Sequence, residues 1–90
     1  MSYLIKLSER AELDIIKHRT SGNKQVLKKL DTLLDELRKH PETGMGKPER
    51  LKYTHKWSRR INDKHRLIYE ILDQIITVEI VQAYGHYNDK

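Results

Sequence analysis

Val26, Leu30, Leu33 and Leu37 recur at steps of four, three and four residues, with Leu27 and Leu34 beside them, and this stripe constrains the fold more than any other feature of the chain. Such spacing lines one face of a helix with apolar side chains, and the helix ends at His40-Pro41, because a proline disfavours helical geometry in the residue before it. Its outward face carries Lys28, Lys29, Asp35, Glu36 and Lys39. A helix with one apolar face needs a surface to bury it against. The pattern is not sustained over enough heptads for a coiled-coil partner, so the rest of the chain must supply that surface.

The flanking segments have the composition to do so. Tyr3-Leu4-Ile5-Lys6-Leu7 reads as an opening strand. Ser8 is placed to cap a first helix, with Glu9 and Glu12 near its positive end. That helix is predicted to reach about His18, burying Ala11 and Ile15 with Leu13 and Ile16, before Thr20-Ser21-Gly22-Asn23 breaks it. Beyond Pro41 runs a Gly- and Pro-containing loop, in which Gly46-Lys47 is followed by Pro48 where a phosphate-binding P-loop needs Ser or Thr. Leu51-Lys52-Tyr53, Trp57 to Ile61, His65 to Leu72 and Ile75 to Ala83 read as strands, joined at Asn62-Asp63-Lys64 and Asp73-Gln74. Ninety residues suit one domain, 1–90, of the α+β class: two N-terminal helices packed on one face of a mostly antiparallel sheet of four to five strands.

Composition removes several function classes. Without cysteine there is no disulfide framework, thiolate zinc site or Cys nucleophile. The apolar clusters fall far short of the ~20 residues that cross a bilayer, and the first residues lack the pattern of an export signal, so no membrane partner is expected. The serines sit in no nucleophile-elbow context, and the five histidines show no metal-binding spacing, so neither a metal nor another cofactor is expected.

The charge is uneven. The net charge of +5 arises because residues 47–66 hold eight cations against only Glu49 and Asp63, a local +6, while the other seventy residues sum to −1. A block of this kind suits a polyanion, of which phosphate backbones are the commonest, and otherwise forms a solvated basic face. Within it, a three-residue loop Asn62-Asp63-Lys64 places Arg60 opposite Arg66, whereas a two-residue loop places Arg59 there. Either pairing brings two guanidinium groups together on one face, which favours a bound anion between them; the alternatives are splaying into water or ties to Glu49 or Glu70. Trp57 and Tyr69, interleaved with these cations, suit base stacking or the core, and His65 suits a core-facing or hydrogen-bonded role.

At the other end, Gly85-His86-Tyr87 sets an imidazole and a phenol at the end of the last strand. A carboxylate within a basic segment, several cations and a His-Tyr pair are the parts of metal-free phosphodiester cleavage. That reaction needs a base for the ribose 2′-hydroxyl, cations for the phosphorane and an acid for the leaving 5′-oxygen.

Gly46-Lys47-Pro48-Glu49-Arg50-Leu51-Lys52, then Trp57-Ser58-Arg59-Arg60-Ile61 and His65-Arg66-Leu67-Ile68-Tyr69, then Gly85-His86-Tyr87, together resemble the YoeB (Txe) branch of the RelE-type toxins of bacterial toxin–antitoxin modules. The resemblance runs the length of the chain and implies a RelE-like fold and an endoribonuclease that cuts mRNA in the ribosomal A site without a metal. By motif position it implies Glu49 as general base, His86 as general acid, Arg66 on the phosphorane and Tyr87 orienting the substrate. Lys52 and Arg60 would hold the scissile phosphate, and Lys47 and Arg59 are expected among the substrate-binding cations. The implied partners are a cognate antitoxin of the YefM/Axe kind, the ribosome with its rRNA and mRNA, operator DNA only through the antitoxin complex, and a second copy in a homodimer, all in the cytoplasm. The chain departs from the branch in continuing with Asn88-Asp89-Lys90 and in a short Leu51-to-Trp57 connection. A ParE-like toxin, which binds gyrase without nuclease chemistry, is the alternative; it has no need of an acid and a base.

Overall fold

A computed structural model describes residues 2–52 and 54–85. Its elements are β1 (Leu4–Leu7), α1 (Glu9–Ser21), α2 (Lys24–Lys39), β2 (Glu49–Arg50), β3 (Lys56–Arg60), β4 (Arg66–Leu72) and β5 (Thr77–Gln82). The five strands form one sheet in the order β1-β5-β4-β3-β2, with β1 parallel to β5 and every other pair antiparallel. Both helices pack on one face, as the order of elements in the sequence predicts.

The caps explain where the helices begin and stop. Ser8 accepts the Ala11 N–H at 3.0 Å, and Asn23 accepts that of Val26 at 3.2 Å. Gly22 closes α1 in the left-handed region at φ 72°, so the helices are joined through Gly22-Asn23 alone. The stripe on α2 is buried as expected, with Val26, Leu30, Leu33 and Leu37 at most 4% exposed. It meets Leu67, Tyr69, Val78 and Ile80 of the central strands.

Three expectations need correction. On α1 the buried residues are Ala11, Asp14 and His18, while Leu13 and Ile16 are 57% and 53% exposed. Ser8 both caps the helix and donates to the Val81 carbonyl at 2.7 Å, so its attachment to β5 fixes the rotation of α1 and turns positions 13 and 16 outward. The strand expected at 51–53 lies two residues earlier, at Glu49–Arg50, because Leu51 N–H already bonds to the Lys56 carbonyl to close the turn; Tyr53 lies outside the described residues. The last strand starts at Thr77, after a 3₁₀ turn at Asp73–Ile75 and a left-handed Ile76.

Near its end β5 carries a bulge. Tyr69 pairs with Ile80 but Ile68 pairs with Gln82, so Val81 is an extra residue on β5. An inserted residue inverts the in-out alternation. It is why Ala83, which simple alternation would turn away from the helices, is fully buried beside α1.

Candidate active site

The site is assembled on the sheet face turned away from the helices. Leu67 and Tyr69 point to the core, so Arg66 and Ile68 point the other way. Cross-strand partners share a face, which puts Glu49, Ser58 and Ile68 in one row and Arg60 and Arg66 in the next. The three-residue reading of the 62–64 turn is the one adopted: Arg60 faces Arg66, and Asn62 Oδ1 caps the turn by accepting from Lys64 and His65 N–H.

Among the described residues the two arginines share no carboxylate. Arg60 Nη1 lies 3.7 Å from Asp63 Oδ1, whose side chain is 97% exposed, a pairing worth little in water. Arg66 Nη1 donates to the Asn62 carbonyl at 3.0 Å. Neither is ion-paired with Glu49 or Glu70 among the described residues. Two facing guanidinium groups repel each other, and an anion between them relieves that repulsion. Glu49, exposed at the start of β2, is the carboxylate of the adjacent row. Lys52 is exposed in the turn after β2. Lys47 is exposed in the loop before it, with a left-handed φ of 51° that is rare for a side-chain-bearing residue. His86 and Tyr87 lie outside the described residues.

Arg59, expected among the substrate-binding cations, is turned away from this face. Its side chain points to the core face and is fully buried, and all five of its N–H donors are used. Nε donates to Tyr69 Oη at 3.1 Å, Nη1 to Glu36 Oε1 at 2.8 Å and the Met45 carbonyl at 3.3 Å, and Nη2 to the carbonyls of His40 and Thr43. Tyr69 Oη in turn donates to the Pro41 carbonyl at 2.9 Å. Burial is the main cause that raises the Tyr69 pKa above its ordinary 10.0, with the hydrogen bond from Arg59 opposing it. Arg59 is thus the anchor of the loop that leads to Glu49, and Glu36, expected on the outward face of α2, is its ion-pair partner.

The loop glycines belong to the same anchor. At Gly44, φ is 118° and a Cβ would fall 1.6 Å from Glu36 Oε1. At Gly46, φ is 83° and a Cβ would press on the Arg60 carbonyl at 2.9 Å. The Glu36 carboxylate leaves no room for a side chain at Gly44 and the Arg60 backbone leaves none at Gly46, and both φ values favour glycine.

The aromatic residues divide in the same way. Tyr69 is fully buried and presents no ring for base stacking, whereas Trp57 is partly buried against the core. His65 is hydrogen-bonded, as expected: its Nδ1 accepts the Gly85 N–H. The burial of Asp14 and His18 does not follow from the apolar pattern of α1. Asp14 lies three residues after Ala11 and His18 four after Asp14, and this helical spacing is the sign that all three share one buried face.

A family model described as the YoeB-like toxin of bacterial type II toxin–antitoxin system matches residues 8–87. Toxin YoeB of Streptomyces coelicolor is 40% identical over 72 residues, which cover 78% of this chain and 83% of that protein. The structure of the YoeB dimer from Staphylococcus aureus is similar at a TM-score of 0.79 and 36% identity, covering 97% of this chain and 100% of that one. A YoeB–YefM complex from the same organism is similar at a TM-score of 0.77 and 37% identity, again over 97% of this chain and 100% of that one. This chain, with its two helices on a five-stranded sheet and its motifs carried from Ser8 to Tyr87, belongs to the YoeB-like toxins of bacterial type II toxin–antitoxin systems.

Proposed function

We propose that this toxin is an endoribonuclease that cuts mRNA within the A site of the translating ribosome. The observation that carries the reading is the placement of Glu49 on the same sheet face as the Arg60–Arg66 pair, two strands and one row away from Arg66. Standard strand spacings make that separation about 12 Å between backbones, which a Glu and an Arg side chain span with a phosphodiester held between them.

In the proposed reaction Glu49 takes the proton of the ribose 2′-hydroxyl. The freed oxygen bonds to phosphorus, and the bond from phosphorus to the 5′-oxygen breaks. His86 protonates that leaving oxygen, giving a 2′,3′-cyclic phosphate and a 5′-hydroxyl. Arg66 stabilises the charge that grows on the phosphorane, Lys52 and Arg60 hold the scissile phosphate, and Tyr87 orients the substrate. Lys47, with the rest of the exposed basic block, holds the message and ribosomal RNA. The attacking oxygen belongs to the substrate, so the proposed reaction is specific for RNA.

In the same proposal an antitoxin of the YefM kind binds it and the free toxin pairs with a second copy, as the similar YoeB–YefM complex and YoeB dimer suggest, with operator DNA contacted only through the antitoxin complex and all of this in the cytoplasm. No helix among the described residues is long and apolar enough to cross a membrane. Primer extension on a message translated with and without the toxin tests the reading. Cuts are expected inside the A-site codon and to vanish with Glu49→Ala. Cuts at the same positions in untranslated message, or gyrase-dependent supercoiling defects with the message intact, would overturn it.

A further inference from the structure

The exit of β5 is held at every step. The carbonyl of the bulge residue Val81 accepts from Ser8 Oγ. Ala83, turned inward by the bulge, meets two side chains one turn apart on α1: Asp14 Oδ2 accepts its N–H at 2.9 Å, and His18 Nε2 lies 2.7 Å from its carbonyl. A carbonyl only accepts, so His18 donates through Nε2. Asp14 and His18 are each 2% exposed, and Arg10 Nε donates to Asp14 Oδ1 at 3.0 Å.

Two residues later the arrangement repeats. The Gly85 N–H donates to His65 Nδ1 at 2.9 Å, and the Gly85 carbonyl accepts the Arg66 N–H at 2.9 Å. Between these fixed points the Tyr84 ring packs with centroids 4.9 Å from His18 and 4.4 Å from His65, and Lys17 Nζ lies 4.6 Å from its centre. Both backbone polar groups of Ala83 and of Gly85 are therefore held, and the next residue is His86. Burying a carboxylate and an imidazole on the inner face of α1 is a poor way to gain stability, since apolar residues pack there without a desolvation cost. Their use is to hold the position of a backbone.

We infer that Asp14, His18 and His65 are positioning residues, which fix Ala83 and Gly85 so that the chain enters His86 from a set point beside Arg66. The inference rests on the reading of His86 as general acid. Arg66 takes part in both roles: its guanidinium is the proposed phosphorane cation, and its N–H holds the residue from which the acid departs. A displacement of about 1 Å at the acid lowers the rate by up to ~100-fold. Substrate affinity, set by exposed cations elsewhere on the sheet, is left unchanged.

The test is kcat and KM for cleavage of a message on programmed ribosomes, with His86→Ala in the same series. His65→Leu and His18→Leu are expected to lower kcat between about 10- and 100-fold with KM within about twofold. His65→Asn, which restores an acceptor near Nδ1, and His18→Gln, which restores a donor near Nε2, are expected to recover most of the rate. If His86→Ala is inactive while both Leu variants keep the wild-type kcat, or if they change only KM, the positioning role is overturned and the acid reading stands. If His86→Ala cleaves at the wild-type rate, the acid reading fails and the positioning role with it. Should the Leu variants not fold, amide exchange decides: the Ala83 N–H, which Asp14 accepts, must be protected in the native toxin and lose protection in a folded Asp14→Ala variant, and an unprotected Ala83 in the native toxin overturns the inference.

Discussion

Arg59 and Arg60 are neighbours in sequence, identical in chemistry and opposite in fate. One side chain goes into the core, where five acceptors take all of its donors; the other goes to the far face of the sheet, where it meets Arg66. The difference is the period of two along β3, which no property of the residue itself can override. A buried guanidinium acts as a fixed bracket for a loop, whereas an exposed one without a strong partner is available to a phosphate. Within one basic segment, charge therefore serves two purposes, and only seven of its eight cations remain outside the buried class.

The largest expected effect breaks the buried half of this comparison. Arg59→Met removes the partner of Glu36 and leaves the carbonyls of residues 40, 43 and 45 without their donor, which should destabilise the fold by about 3–5 kcal/mol. Urea unfolding measures it, and an unchanged midpoint would show that the anchor carries no weight.

The exposed half should respond in the opposite way. Arg66→Ala is expected to lower the cleavage rate on the order of 100-fold, and Arg60→Ala about tenfold, each with an unfolding midpoint close to that of the parent. Loss of stability without loss of rate in either variant would contradict the division of roles.

Tyr69→Phe is the mildest probe. It removes the donor to Pro41 and the acceptor of Arg59 Nε, so it should destabilise by about 1–2 kcal/mol near neutral pH. Burial raises the Tyr69 pKa in the folded state, so its contribution is fully present below the ordinary value of 10.0 and is lost as pH rises through the folded value. The parent should therefore lose stability above pH 10 more steeply than the Phe variant, and parallel unfolding curves across that range would speak against a buried phenol.

Much of this arrangement is legible in the chain. The stripe from Val26 to Leu37 identifies the buried face of α2 because its spacing matches the helical period. The turn after Ile61 limits the residue facing Arg66 to Arg60 or Arg59, because loop length sets register, and the structure adopts the three-residue loop that selects Arg60. The short run at Glu49–Arg50 was less legible, since strand propensity favours Leu51 and Tyr53 whereas pairing with β3 selects the charged residues before them. The inner face of α1 was hidden for a related reason. Apolar Leu13 and Ile16 suggest one rotation, and the attachment of Ser8, Asp14 and His18 to the backbone of β5 imposes another.

The sequence by itself determined the order of elements, the Ser8 cap of α1, the face that α2 buries and the concentration of positive charge between Lys47 and Arg66, all of which follow from local spacing. Only the tertiary structure decided which arginine enters the core and which lies beside Arg66 on the open face, how α1 is turned and what holds the end of the last strand. Those outcomes rest on hydrogen bonds between residues far apart in the chain, such as Asp14 to Ala83 and Glu36 to Arg59. A bond of that kind exists only after the fold has brought its two ends together.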